Sequence, residues 1–153
     1  DSDTPTSIDR LYGKFDKSFD DYETIKPKFD LTMKVINSIY EYLNGNIHCF
    51  SGKQYFYTLF AALVHQLYGL PVLDAPRKSE YSSEHISEHM PCLLDRLAQF
   101  ENHFERCIID KASWYDMYVE FTEFEKLHRT RTTNKTERFE RVKFLSNYIA
   151  GDL

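Results

Sequence analysis

Three groups of side chains have types and spacings that could carry chemistry. His85, His89 and Cys92 recur at i, i+4 and i+7, which puts two imidazoles and a thiol on one face of a helix, and His48-Cys49 would complete a four-ligand zinc set. Pro91 falls between His89 and Cys92 and disturbs that alignment, and the chain has no Cys-x-x-Cys unit. The plainer reading, which the sequence favours, is two exposed histidines near a helix start and a small buried thiol. No metal or other cofactor is expected. His65, in an apolar helix, titrates near neutrality and could act as a general base, but no motif sets a serine or cysteine nucleophile beside it. A satisfied core histidine is the favoured alternative.

The third group is the stretch from His128 to Arg141. Its cations, hydroxyls and amide are groups that contact phosphate oxygens, and a helix start capped by Asn134 would offer backbone N–H groups to an anion. Between Lys126 and Lys143 seven cations face two carboxylates, net +5, which leaves −10 for the rest of a chain whose total is −5. Arg129, Arg131, Lys135, Arg138 and Arg141 are the nucleic-acid-binding candidates. Against that role, Glu137 and Glu140 dilute the field and a helical wheel sets Arg138 among Phe139, Val142, Leu145 and Ile149, where an inward arginine serves the fold. The sequence favours a structural or inter-domain role for this stretch over direct DNA contact.

Other signatures are missing. The five glycines are scattered and form neither G-x-x-x-x-G-K nor G-x-G-x-x-G, so nucleotide hydrolysis has no local support. Acidic pairs such as Asp20-Asp21 and Glu123/Glu125 read as solvated helix faces. Asn134-Lys135-Thr136 matches a glycosylation acceptor only by chance, since no export signal precedes it.

The elements that must position these residues read as helices. Ile8, Leu11, Tyr12, Phe15, Phe19 and Tyr22 recur at helical steps, and Thr24 to Pro27 then separates a second helix with a stripe of Phe29, Met33, Ile36, Tyr40 and Leu43, stopped by Asn44-Gly45-Asn46. Ser51 and Gln54 have capping-box spacing before a third helix that ends at Tyr68, before Gly69 and Pro71. That helix is apolar around most of its circumference and should be central. Val72 to Tyr81 reads as a surface loop, and Ser82 or Ser83 as a cap. Ile86, Met90, Leu93, Leu97, Phe100 and Phe104 hold one face across Pro91, which predicts a kink or a short helix feeding a longer one. Trp114, Met117, Tyr118, Phe121 and Phe124 or Leu127 define a fifth helix, and Phe139, Val142, Leu145 and Ile149 a last one. No sustained alternating strand is present. The expected fold is all-α, a single-domain bundle of five to seven helices over residues 1–153.

Composition agrees with this. The chain has 153 residues, enough for one core, with 12 Phe, 11 Tyr and one Trp to fill it and few glycines or prolines to turn it. The longest apolar run, Leu59 to Val64, is far short of the ~20 residues of a membrane span. With no signal peptide and only Cys49, Cys92 and Cys107, free thiols and a cytoplasmic location without membrane contact are expected. Asp1 in place of Met suggests a fragment of a larger protein.

Two stretches together resemble a known family. Phe50-Ser51-Gly52-Lys53-Gln54-Tyr55-Phe56-Tyr57-Thr58-Leu59-Phe60, continuing to His65-Gln66-Leu67-Tyr68-Gly69-Leu70-Pro71, resembles the helical part that follows the catalytic domain in GmrSD-type and related prokaryotic nucleases, whose N-terminal domain is ParB/sulfiredoxin-like. Arg131-Thr132-Thr133-Asn134, with Arg138 and Arg141, resembles the end of the same part, and Lys28 to Tyr42 also fits. The resemblance implies a prokaryotic defence setting in which foreign DNA is recognised or cleaved with nucleotide hydrolysis. The family's Asp-Gly-Gln-Gln-Arg-like motif and its occasional His-Asn-His nuclease pattern have no match here, so the resemblance implies the helical module alone and carries over no catalytic residue. The resulting expectation is a non-catalytic module that positions a catalytic domain, of the same or another chain, with DNA as a further partner. The alternative is a protein-interaction or oligomerisation module that binds no nucleic acid.

Overall fold

The computed structural model describes residues 22–129 and 135–151, and the expected helix over Ile8 to Phe19 lies outside them. The described residues form five α-helices, α1 (Tyr22–Leu43), α2 (Lys53–Tyr68), α3 (Ile86–Phe104), α4 (Tyr118–Arg129) and α5 (Lys135–Ile149), and no strand. The protein is all-α. A 3-10 turn, Ser79–Tyr81, precedes α3, and a π-helical turn, Glu105–Ile109, follows it directly.

α2 is central, as its apolar circumference predicts. Every residue from Thr58 to Leu67 is buried, and the helix packs most extensively on α5 and next on α1. Gly69 ends it at φ 85 with its N–H on the His65 carbonyl at 2.8 Å, a left-handed conformation that glycine adopts without a Cβ penalty. The start differs from the expected capping box. Ser51 Oγ donates back to the His48 carbonyl at 3.2 Å, Gly52 is the N-cap with no side-chain bond, and Gln54 Oε1 is buried without a hydrogen bond. The preceding loop is held from outside the helix by Glu101, described below, and this fixes the chain's entry where the local signal does not.

Neither proline breaks its helix. Pro27 and Pro91 are each the sixth residue of α1 and α3, so each removes one bond to a carbonyl in the first turn, and both lie at exposed positions. α1 therefore starts before Pro27 rather than at it. Its buried line is Thr32, Val35, Ile36, Ile39 and Leu43, rotated from the predicted stripe so that Phe29 is exposed and Met33 and Tyr40 are half-buried. Thr32 fits the core because its hydroxyl bonds the Lys28 carbonyl at 2.8 Å. α3 is one continuous helix without a serine cap: its N-cap is His85, and Ser82 Oγ is buried without a hydrogen bond.

An aromatic cluster joins the elements. Phe100 of α3 stacks on Phe50 at 5.5 Å and meets Phe121 at 4.9 Å, Phe124 at 5.5 Å and Tyr148 at 4.9 Å, linking α3 to the α1–α2 loop, α4 and α5. Edge-to-face and offset pairs of this kind add to the stabilisation from burial. The fifth predicted helix starts later than expected. Trp114 lies in the corner before α4 and is 78% exposed.

Candidate functional site

The basic candidates fall around the end of α4 and the start of α5. Arg129 is exposed, and its Nε donates to Glu125 Oε1 at 2.8 Å; Lys126 Nζ lies 3.5 Å from Glu123 Oε2. Arg131 lies outside the described residues, as does Asn134 with its predicted cap. Lys135 is exposed, with Nζ 5.3 Å from the Phe139 ring centre, and Arg138 is half-buried. Arg141, not Arg138, is the inward arginine: it is 7% exposed and its Nε donates to the Leu127 carbonyl at 2.8 Å, at the C-terminal end of α4 where free carbonyls attract a cation. Arg141 thus serves the fold at this helix junction, with its guanidinium largely withdrawn from solvent.

The metal candidates do not assemble. His85 and Cys92 are exposed, His89 is half-buried with Nδ1 3.0 Å from the His85 carbonyl, and Cys49 is buried. Among the described residues no three His, Cys, Asp or Glu side chains gather as a metal site. The exposed Cys92 also corrects its reading as a buried thiol. All three cysteines are free.

His65 is committed to the chain segment after α2. A carbonyl oxygen only accepts, so its Nε2–H donates to Ala75 O at 2.9 Å, and Nδ1 accepts the Leu70 N–H at 3.0 Å. Burial lowers its pKa from the usual imidazole value. Gln66 extends the clamp: Nε2 donates to Pro76 O at 3.0 Å, and Oε1 accepts the Lys78 N–H at 2.9 Å. The Val72 to Tyr81 segment is a surface loop, with Val72, Asp74, Arg77 and Ser79 exposed, but one clamped to α2 as a strap, with its own Leu73 and Tyr81 and the preceding Leu70 buried.

Two buried polar sites carry no motif in the sequence: Glu101, and His128, which reads there only as the first residue of the basic stretch. Glu101 is 1% exposed, and its carboxylate accepts the backbone N–H groups of His48 at 2.7 Å, Cys49 at 2.8 Å and Phe50 at 2.9 Å. The available signal was its spacing, four residues after Leu97 and three before Phe104, on the apolar face of α3. Its negative charge adds to burial in raising the Cys49 thiol well above its usual value and in pushing Tyr40 up to about 12.

The second is His128, 6% exposed, with its ring stacked on Tyr55 at 3.9 Å. Nδ1–H donates to the Phe124 carbonyl at 2.9 Å, so Nε2 accepts from the Thr58 hydroxyl at 2.8 Å. This orientation matches a nucleophile and base, the arrangement sought around His65. Burial, with a smaller contribution from the Arg141 charge, holds the imidazole down at about 3, too low for a general base at neutral pH. Thr58 is itself 3% exposed. The pair packs α2 against α4 rather than facing a substrate.

Six large apolar side chains are exposed among the described residues, Phe29, Tyr42 and Val72 singly and three others close together in the chain. Ile109, Trp114 and Val119 are 56%, 78% and 66% exposed, and all belong to the corner between the π-helical turn and the first turn of α4. The backbone there is ordered by successive turns, with Ala112 N–H on Arg106 O, Tyr115 N–H on Ala112 O and Tyr118 N–H on Tyr115 O, each at 3.0 Å. Tyr115 anchors the corner inward, 5.3 Å from the His103 ring.

No family model matches this chain, and neither a curated protein nor a solved structure does. No described helix is long and apolar enough to cross a membrane.

Proposed function

We propose that this chain is a non-catalytic helical module that holds a second protein domain in position. The observation that carries the reading is the Trp114 corner. A tryptophan 78% exposed on an ordered backbone, with Val119 and Ile109 in the same corner, is the kind of residue that dominates protein interfaces once covered. The buried histidines support it from the other side, because each is spent on an internal hydrogen bond. The resemblance of the 50–71 and 131–141 stretches supplies the setting, a prokaryotic defence nuclease whose catalytic domain is the partner, working in the cytoplasm.

The test is to co-purify the chain with the domain encoded beside it, an Asp-Gly-Gln-Gln-Arg-type domain if the resemblance holds, and to measure the affinity of wild type and Trp114→Ser. A loss of about tenfold or more, with unchanged thermal unfolding, is expected of one exposed aromatic anchor. Unchanged affinity would remove the reading.

A second reading, DNA contact, is favoured by one arrangement: Lys126 and Arg129 close α4 while Lys135 and Arg138 open α5, so cations flank residues 130–134 on both sides. Its test is the salt dependence of DNA binding, treated in the Discussion.

A further inference from the structure

We infer that the partner surface received by the Trp114 corner is apolar and basic: a protein segment, such as an amphipathic helix, whose apolar residues are flanked by lysine and arginine. The inference rests on the positioning reading and specifies the chemistry of its partner.

The charge around the corner sets the choice. Asp110, Asp116, Glu120 and Glu123 are all exposed within the Ile109–Glu123 stretch, against Lys111 inside it and the exposed Arg106, whose carbonyl takes the Ala112 N–H, just before it. Asp116 and Glu120 bracket Val119 in sequence and Asp116 follows Trp114 by two residues, while Glu123 lies one turn beyond Val119 on α4. Only Glu123 among these carboxylates has an ion pair, a loose one to Lys126 at 3.5 Å with both side chains more than half exposed. Asp110, Asp116 and Glu120 thus lie next to the apolar side chains in the chain as exposed carboxylates that have no ion pair among the described residues. An acidic or neutral partner would bury Trp114 and Val119 only by bringing like charge, or none, against those carboxylates. A basic partner gains both contacts, and complementary charge also sets its register and speeds its encounter. An apolar centre with a polar rim is the usual anatomy of an interface core.

Trp114 is the chain's only tryptophan, so its emission reports directly on this corner. The experiment titrates the whole chain with two short helical peptides of the same leucine face, spaced i, i+3, i+4, i+7, one flanked by lysines and the other by glutamates. The lysine peptide is expected to blue-shift Trp114 emission saturably, with binding weakened about tenfold by Asp116→Lys/Glu120→Lys and by raised salt, and the glutamate peptide is expected to leave wild type unshifted. Both substituted positions are exposed, and circular dichroism checks that the double variant keeps its helices.

Equal shifts with both peptides, or a shift with neither, overturn the inference. So does a shift that appears with protein concentration alone, which would make the occupant a second copy, or one produced by zwitterionic lipid vesicles, which would make it a lipid surface. In each of these cases the positioning reading survives if Trp114→Ser still loosens the neighbouring domain; if that substitution has no effect while the lysine peptide binds, the positioning reading falls and the basic-segment preference stands.

Discussion

Single polar residues in the interior decide more about this chain than its exposed cations do. Glu101 satisfies three consecutive amides at once, so removing the carboxylate leaves three donors in a loop whose neighbours, Cys49 and Phe50, are nearly inaccessible. Glu101→Ala should cost at least ~3 kcal/mol, seen as a lower urea midpoint, because hydrogen bonds to charged groups contribute roughly 1.5–3 kcal/mol each and their loss strands the partners. His128 makes stability depend on pH. Its folded value is about 3, while unfolded it titrates near ~6.5. Below 6.5 the unfolded chain binds the extra proton, so the contribution is complete above that pH and lost as pH falls, at ~1.4 kcal/mol per unit down to the folded value. Between pH 7.5 and 5 the loss from this residue should be on the order of 2 kcal/mol, with His65, also lowered by burial, adding in the same direction. Urea unfolding at the two pH values checks this: His128→Asn should be less stable than wild type at pH 7.5 and lose less on acidification. An equal loss in both would show that other groups set the dependence. His65 was legible in the sequence as a satisfied core histidine, because it sits in a continuous apolar run. Glu101 and His128 were not, because a charged or titratable residue on a mixed helix is unremarkable until its partner, some 50 or 70 residues away, is known.

At the scale of elements, hydrophobic periodicity located the helices, and local signals misplaced several of their ends. α2 ends where Gly69 and Pro71 predict, since a left-handed stop is written in the residue itself. The Ser51–Gln54 cap does not form because the helix begins one residue later, with Gly52 as N-cap and the Ser51 hydroxyl turned back to the His48 carbonyl. The spacing of Trp114 to Tyr118 and Phe121 fits a helix, yet the π-helical turn and Lys111, at φ 54, redirect the chain before it. The strap after α2 reads in the sequence only as a surface loop, because its anchors, His65 and Gln66, belong to the helix it leaves. This arrangement is testable because Arg77 and Lys78 are trypsin sites held to α2: Arg77 Nη2 donates to the Gln66 carbonyl at 3.1 Å, and the Lys78 N–H to the Gln66 side chain. Gln66→Ala removes two of the strap's hydrogen bonds, worth about 1 kcal/mol each. Cleavage after Arg77 or Lys78 should then be about tenfold faster under limited proteolysis, with little change in overall unfolding, as expected of local opening. Cleavage at the wild-type rate would mean that Leu70, Leu73 and Tyr81 hold the strap without Gln66.

For the whole molecule, few glycines, few prolines and abundant aromatics specified the all-α class, and the charge asymmetry, a −10 body with a +5 segment, raised the question of DNA. The fold divides that segment. Arg141 is buried against the end of α4, Arg129 and Lys126 face carboxylates on their own helix, and Lys135 stands exposed at the start of α5. If the segment contacts phosphates, each cation doing so releases counterions, and the slope of log affinity against log salt measures how many do. Replacing Arg129 and Arg131 by alanine should then reduce that slope by about two and weaken binding alike across DNA sequences. Arg141→Ala should leave the slope unchanged and instead lower the unfolding midpoint, because it removes the cation that satisfies the Leu127 carbonyl. The two variants separate a phosphate-binding corner from a helix junction that merely contains arginines. Binding that responds neither to salt nor to the Arg129/Arg131 pair would leave the positive segment as the means by which an acidic protein fastens α5 to α4, and the Trp114 corner as its contact with a partner.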